Sequence, residues 1–310
     1  MSGAGRSPFR RAGYRLLGSR FDYLLHTRPA EWPIMAAHTA LGYLLAVGLS
    51  GAAAGEQLGA AAFGLLLWVV FLNGGTLAIN SAFDRDEGDI GYLRAPPPVP
   101  PHLFAFGMAL LVAGGALSLL LPTAYTAAYG VCFAMSVLYS VPPFRLKAVA
   151  GADWLINMIG FGALTPYAGW ALTGRPLDRP ALLVFAAFAP LFAALYPLTQ
   201  LYQFEEDRRR GDRTLALMLG ERASLLLSLV ATLVAFALFV LAGAERGWFE
   251  GPGWRLGLIG LALGAWSGVL VPWLFRWPRM TPAQHQRGMY AALGAWAVTD
   301  LAVALGFGLG

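Results

Sequence analysis

Apolar residues in this chain run on in long blocks. They neither alternate as in a half-buried strand nor recur with the period of a surface helix. Blocks of about 20 largely uncharged residues occupy 33–54, 60–83, 102–121, 123–141, 152–172, 180–203, 222–243, 254–275 and 288–308. About 20 apolar residues in a helix reach across the hydrocarbon of a bilayer. Lipid offers no partner to an unpaired backbone group, so each block is predicted to be a helix. The pattern therefore predicts an all-α integral membrane protein with nine transmembrane helices in one bundle.

Residues 1–32 follow a different rule. Arg6, Arg10, Arg11, Arg15, Arg20 and Arg28 are interleaved with Phe9, Tyr14, Leu16, Leu17, Phe21, Tyr23, Leu24 and Leu25. That mixture suits a basic amphipathic segment lying on an anionic membrane surface. It lacks the unbroken apolar core of a cleavable signal peptide. The expected organisation is this segment followed by a nine-helix membrane domain over 33–310.

Composition agrees: 57% of the 310 residues are hydrophobic and 13% charged, where a soluble domain carries about 25% charged residues. The mean hydropathy is +0.59. The lone cysteine, Cys132, excludes a disulfide within the chain and a cysteine-based metal site. The distribution of charge carries topology. With the N-terminus in the cytoplasm, 18 of the 22 basic residues fall on the cytoplasmic side, and only Arg175, Arg179, Arg246 and Arg255 fall outside. This positive-inside bias predicts a cytoplasmic N-terminus. The basic balance thus reflects membrane lipids and topology, and the sequence carries no nucleic-acid-binding signature. The inner connections at 84–101, 142–151 and 204–221 are long and rich in ionisable groups, so function is expected on the cytoplasmic face of the membrane, with a bacterial inner membrane the expected setting.

Two polar stripes lead to that face. The second span ends FLNGGTLAINSAFDRDEGD, in which Asn73, Thr76, Asn80 and Asp84 share one side of a helix. Glu87 extends the stripe, and Asp89 falls opposite it unless Gly88 ends the helix. The sixth span ends LYPLTQLYQFEEDRRRGDRT, where Tyr196, Gln200, Gln203 and Asp207 share a face. Gln203 and Asp207 follow Asn80 and Asp84 by the same 123 residues, the mark of a pseudo-repeat. Polar stripes inside membrane helices line a cavity or bond a neighbouring helix, and both readings stand for Asn73, Thr76, Tyr196 and Gln200. For the acidic ends, carboxylates and amides are oxygen ligands of the kind Mg2+ takes while bridging substrate phosphates. Asn80, Asp84, Glu87, Asp89, Gln203 and Asp207 are the candidate ligands.

These residues resemble the UbiA family of intramembrane prenyltransferases. Asn80 and Asp84 match the opening of its N-x-x-x-D-x-x-x-D motif, and Gln203, Asp207, Gly211 and Thr214 match D-x-x-x-D followed by G-x-x-T. The segment from Tyr139 to Asn157 is similar to the stretch before the family's fifth helix. Two departures stand out: Gly88 takes the place of the third acidic residue of the first motif, and Gln203 replaces the leading aspartate of the second. The resemblance implies a Mg2+ cofactor and transfer of a prenyl group from a polyprenyl diphosphate to a lipophilic or aromatic acceptor, a quinone precursor being favoured. It makes Asp84, Asp207 and Lys147 the catalytic candidates and Arg145 and Lys147 the clamp on the diphosphate. Tyr139, Asn157 and Tyr202 join the stripe residues as cavity lining. Arg208, Arg209 and Arg210 are read as topology and lipid contacts.

Two rival classes remain. A membrane terpene cyclase would turn the cation on its own chain, and a transporter would place charges near the midplane, where only Asp300 fits. Asp300 is expected to meet a polar partner on a neighbouring helix, and Asp153 to cap the fifth span. His26, His38, His102 and His285 form no ligand spacing.

Overall fold

A computed structural model describes residues 8–84, 93 and 95–309. The described residues are overwhelmingly helical, as apolar blocks in lipid require. An amphipathic helix, α1 (Pro8–Leu17), leads through a short turn to α2 (Phe21–His26). The long helices follow: α3 (Trp32–Ala53), α4 (Leu58–Asp84), α5 (Leu103–Ser118), α6 (Thr123–Ser140), α7 (152–171) and α8 (Arg179–Gln200). Two short helices, α9 (Phe204–Arg210) and α10 (Leu215–Leu219), precede α11 (Glu221–Glu245), α12 (Trp254–Arg276) and α13 (Pro282–Gly308). Among the described residues, six helical runs are long and apolar enough to cross a membrane: α3, α4, α8, α11, α12 with its short extension to Arg279, and α13. The protein is thus a membrane helical bundle.

Two predicted boundaries move for identifiable reasons. The last helix starts at Pro282, well before 288, because Thr281 and Gln284 form a reciprocal capping box ahead of its polar first turns. The sixth run stops at Gln200, short of 203, and Gln203 opens the separate helix α9. Tyr196, Gln200, Gln203 and Asp207 therefore do not lie on one continuous helix.

Helices close on one another through small residues, as expected where lipid supplies no hydrophobic drive. At the crossing of α3 and α7, a Cβ on Gly42 would stand 1.7 Å from the Pro166 carbonyl oxygen, and one on Gly169 would stand 1.8 Å from that of Thr39. Only hydrogen fits at either position. Around α8 the core is aromatic: Phe188 packs against Phe239 and Trp296. Asp300 on α13 has the expected polar partner on another helix, His38 Nδ1 of α3, at 3.0 Å.

At one end of the bundle, two loops far apart in sequence are joined. The Arg213 N–H donates to the Ala148 carbonyl at 3.2 Å, and Val149 and Arg213 form a parallel bridge. This link sets the basic loop 141–151 beside the acidic segment 204–214. At the same end, α1 and α2 hold the chain around Leu93 to Pro101: Phe21 and Leu25 bury Leu93, and Arg10 donates to the Ala95 carbonyl.

Candidate active site

The acidic end of α4, the α8–α9 junction and the loop before α7 meet around one cavity of about 400 Å3. Asp84 and Asp207 both line it, although 123 residues separate them. Asn80 and Gln203 do as well, and so does every residue expected to line a cavity: Asn73, Thr76, Tyr139, Asn157, Tyr196, Gln200 and Tyr202. The stripe residues also bond between helices. Thr76 Oγ1 lies 2.7 Å from Ser136 Oγ of α6, and the Tyr139 and Tyr196 hydroxyls are 2.8 Å apart. Glu87 and Asp89 lie outside the described residues.

Each acidic side chain is positioned by the local backbone. Asp84 is the last residue of α4, and its side chain is only 6% exposed. The Lys147 ammonium contacts its carboxylate and donates to Asn80 Oδ1 at 2.9 Å. Asp207 sits in the middle of α9, which ends on Gly211 in the left-handed conformation that glycine adopts without strain. The turn at Gly211 swings Asp212 back beside Asp207, whose carbonyl accepts the Asp212 N–H at 3.0 Å. Thr214, two residues on, donates its hydroxyl to Asp207 Oδ2 at 3.3 Å.

The electrostatics follow from burial. Desolvation pushes the Asp207 carboxyl up to about 6, with Asp212 adding repulsion and Arg210 opposing. Desolvation also pushes the Lys147 ammonium down to about 7, against the pull of Asp212. An acidic pocket edged by cations is a place where an arriving metal–anion pair neutralises both signs. Among the described residues, no three His, Cys, Asp or Glu side chains form a metal-holding group. Oxygen donors of Asp84, Asp207, Asp212, Asn80 and Gln203 share the cavity, with the carboxylates of Glu31 and Glu206 also in its lining. That donor chemistry fits Mg2+, which uses few carboxylates and keeps waters or phosphate oxygens.

The chain matches the UbiA prenyltransferase family over residues 39–293. It belongs to that family. A lycopene elongase/hydratase of Haloarcula japonica is 32% identical over 221 residues, covering 64% of this chain and 67% of that protein. A digeranylgeranylglyceryl phosphate synthase of Natronomonas pharaonis is 28% identical over 283 residues, covering 89% and 95%. Among solved structures, a UbiA homologue from Archaeoglobus fulgidus bound to GPP and Mg2+ superposes with a TM-score of 0.68 at 20% identity, over 93% of this chain and 99% of that one. The overall fold is thus the UbiA fold, and the chain is a prenyltransferase by family.

Within this UbiA fold, several residues behave differently from expectation. Arg145 is turned towards carboxylates: its Nη1 donates to Asp212 Oδ1 at 2.6 Å, and its Nη2 lies 3.5 Å from Asp84 Oδ1. Arg210 does more than set topology, since it lines the cavity and pairs with Glu206 at 2.6 Å. Asp153 helps to cap its helix from the second helical position, its Oδ1 accepting the Gly151 N–H at 2.9 Å. Gly151 holds the N-cap position itself, and the other oxygen of the fully buried Asp153, Oδ2, accepts from the Gln200 amide and the Leu215 N–H, each at 3.0 Å, fastening α7 to α8 and α10.

Asp212 is the site residue that sequence spacing missed. Five residues after Asp207, it falls off a helical stripe, and only the turn at Gly211 returns it to the cavity. The signal was the run of charges around that glycine. Arg28 and Glu31, which also line the cavity, were read with the surface segment.

Proposed function

We propose that this UbiA-family protein catalyses Mg2+-dependent transfer of a prenyl group from a polyprenyl diphosphate to a lipophilic or aromatic acceptor within the membrane. The observation that carries the reading is that Asp84 and Asp207, from separate helices, face one cavity whose walls are otherwise largely apolar. The GPP and Mg2+ bound by the structurally similar A. fulgidus protein support the same donor and metal.

In this reading Asn80, Asp84, Gln203 and Asp207, with Glu87 and Asp89, hold the metal, and Asp212 joins them. Bound Mg2+ would neutralise charge on the diphosphate leaving group. Lys147 and Arg145 bind diphosphate oxygens, exchanging their present carboxylate partners for the substrate. As the bond from the first prenyl carbon to oxygen breaks, positive charge spreads over the allylic group. Tyr139, Tyr202 and the stacked pair Phe161–Phe192, whose ring centroids are 5.2 Å apart, shield it from water and present π faces to it. The acceptor supplies the electron pair of the new bond and loses a proton to a carboxylate or diphosphate oxygen. Quinone precursors are one acceptor class to test. The relatives' names add lycopene and glyceryl phosphate lipids to the classes for screening.

The same reading places nine spans in the bilayer with the N-terminus and the cavity mouth on the cytoplasmic side, and residues 1–32 on the surface lipid. The named relatives are archaeal, so the setting is taken as a prokaryotic cell membrane.

The test is purified protein in vesicles with labelled GPP, with Mg2+ or with chelator, and with or without an acceptor panel. Prenyl transfer that needs both Mg2+ and acceptor is expected. Release with a cyclic hydrocarbon product and no acceptor would make the protein a cyclase, and binding with no release at all would point to transport.

A further inference from the structure

The cavity has an inner end, and paired residues on neighbouring helices fix its depth. Ser140 Oγ of α6 lies 3.4 Å from Asn80 Oδ1 of α4, and Ser136 Oγ lies 2.7 Å from Thr76 Oγ1, so the two helices run side by side at a constant offset of 60 residues. That offset sets Cys132 level with Leu72, one turn short of Trp68. No residue before Trp68 on α4, before Cys132 on α6 or after Thr165 on α7 lines the cavity. Trp68 stands across this end. It is 1% exposed, its indole donates to Thr165 Oγ1 of α7 at 3.3 Å, and its ring meets Tyr125 and Tyr129 edge-on, with centroids 5.8 and 6.2 Å apart. Both tyrosine hydroxyls donate to main-chain carbonyls, Tyr125 to Gly64 at 2.7 Å and Tyr129 to Leu111 at 3.1 Å. One turn beyond Trp68 there is no slack: a Cβ on Gly64 would stand 2.0 Å from Leu172 Cδ2. The indole is a fixed stop.

The way from the acidic groups to Trp68 suits a hydrocarbon chain. Leu72, Cys132, Met135, Phe161 and Phe192 line it. Thr76 and Ser136 spend their hydroxyls on the Leu72 and Cys132 carbonyls at 2.7 Å, and Thr165 on that of Gly160 at 2.9 Å. Asn73 adds a single unpaired amide nitrogen. In the prenyl-transfer reading the diphosphate end of the donor is held at Asn80 and Asp84, so the tail starts from that level. Asn80 follows Trp68 by 12 residues, roughly 18 Å of helix. Each isoprene unit adds four carbon–carbon bonds of about 1.5 Å, hence about 5 Å of extended chain. Four units, slightly bent, reach the indole. A fifth has no place.

We infer that Trp68 is the length stop for the donor, so that the protein takes prenyl diphosphates of up to four isoprene units and the indole excludes longer ones. The inference rests on the prenyl-transfer reading and sets the size of its donor.

The experiment is competition for the purified full chain in detergent with Mg2+. Labelled GPP is displaced by unlabelled prenyl diphosphates of two, three, four, five and nine isoprene units. For wild type the inhibition constant is expected to hold or improve up to four units and then to rise at least about tenfold at five and nine, the order expected of overpacking. Trp68→Ala is expected to move that break beyond five units, and Trp68→Phe, which keeps a ring, to leave it at four. Cys132→Phe narrows the bore one turn short of the stop and is expected to bring the break below four. Mg2+-dependent binding of labelled GPP reports folding in each variant, and Cys132→Phe decides alone if Trp68→Ala does not fold. Equal inhibition by the four-unit and nine-unit compounds in wild type overturns the inference, since the tail would then leave the cavity sideways. So does a break that stays at four in both Trp68→Ala and Cys132→Phe. Equal weakening at every length in Trp68→Ala, with the break unmoved, overturns it too, because the indole would then only support the wall. Failure of wild type to bind GPP with Mg2+ instead removes the prenyl-transfer reading itself.

Discussion

Lys147 donates to the Asn80 amide oxygen at 2.9 Å and rests against the Asp84 carboxylate one helical turn further on. The chain's only lysine thus comes from the loop between α6 and α7 to the acidic end of α4. It can do so because that loop is pinned to the 211–214 turn by the Arg213 to Ala148 hydrogen bond. The Lys147 amine thus sits against both polar groups at the acidic end of α4.

Removing that cation is expected to strike the donor step. Lys147→Met should lower kcat/KM for GPP about 10²-fold or more, the usual effect of losing one charged stabiliser of a leaving group. Lys147→Arg should retain more. Steady-state kinetics with GPP varied at saturating acceptor measures both, and a Lys147→Met enzyme with unchanged kcat/KM would remove Lys147 from the diphosphate site.

Asp84→Asn and Asp207→Asn keep shape and remove charge. Each is expected to reduce transfer by about 10²–10³-fold while the protein still inserts and melts as a folded bundle. Turnover and thermal unfolding in detergent, measured on the same preparations, separate the two effects. Wild-type turnover in either variant would sink the metal assignment.

Acid should weaken Mg2+ binding with a definite sign. Burial raises the Asp207 carboxyl to about 6, so below that pH the metal-free protein holds a proton that Mg2+ must displace. Apparent Mg2+ affinity should be flat above about pH 6 and fall by up to tenfold per unit below it. Because the folded pKa exceeds the unfolded value near 4, the metal-free fold gains stability as pH drops through this window. Titration calorimetry in buffers of different ionisation enthalpy should show proton release at pH 5.5. Asp207→Asn should abolish it.

The α3–α7 crossing tolerates no side chain. With an added Cβ placed 1.8 Å from the Thr39 carbonyl oxygen, Gly169→Val must push the helices apart. A loss of about 3 kcal/mol or more, at the severe end of overpacking, is expected as a lower Tm and poor yield. A Gly169→Val protein of native Tm would show that the helices do not cross so closely.

Asp153→Ala should destabilise the bundle by about 2–4 kcal/mol, because it leaves the part-buried Leu215 N–H and the buried Gln200 amide short of partners. Hydrogen exchange should show early opening at 212–216, and unchanged protection there would count against the fastening role.

How legible the site was depended on the range of the interactions. Asn73, Thr76, Asn80 and Asp84 were readable because one helix imposes a 3.6-residue period on them. Tyr196, Gln200, Gln203 and Asp207 were paired correctly for a partly wrong reason, since a break after Gln200 interrupts their helix and the cavity gathers them all the same. Asp212 and the fastening role of Asp153 were not readable. Both depend on partners brought near by turns, Gly211 for the one and the α8–α10 approach for the other.

Lipid is an exacting solvent, and that is why the sequence alone determined the helical membrane architecture, the acidic stripes and the family motifs. Apolar length and local period are properties of each segment, whatever its neighbours. Only the tertiary structure decided that Asp84 and Asp207 face one cavity, that Lys147 meets Asp84, and that Arg145 meets Asp212. Those facts concern distances between helices, which packing of glycines against backbone and loop-to-loop hydrogen bonds set, and no single segment encodes them.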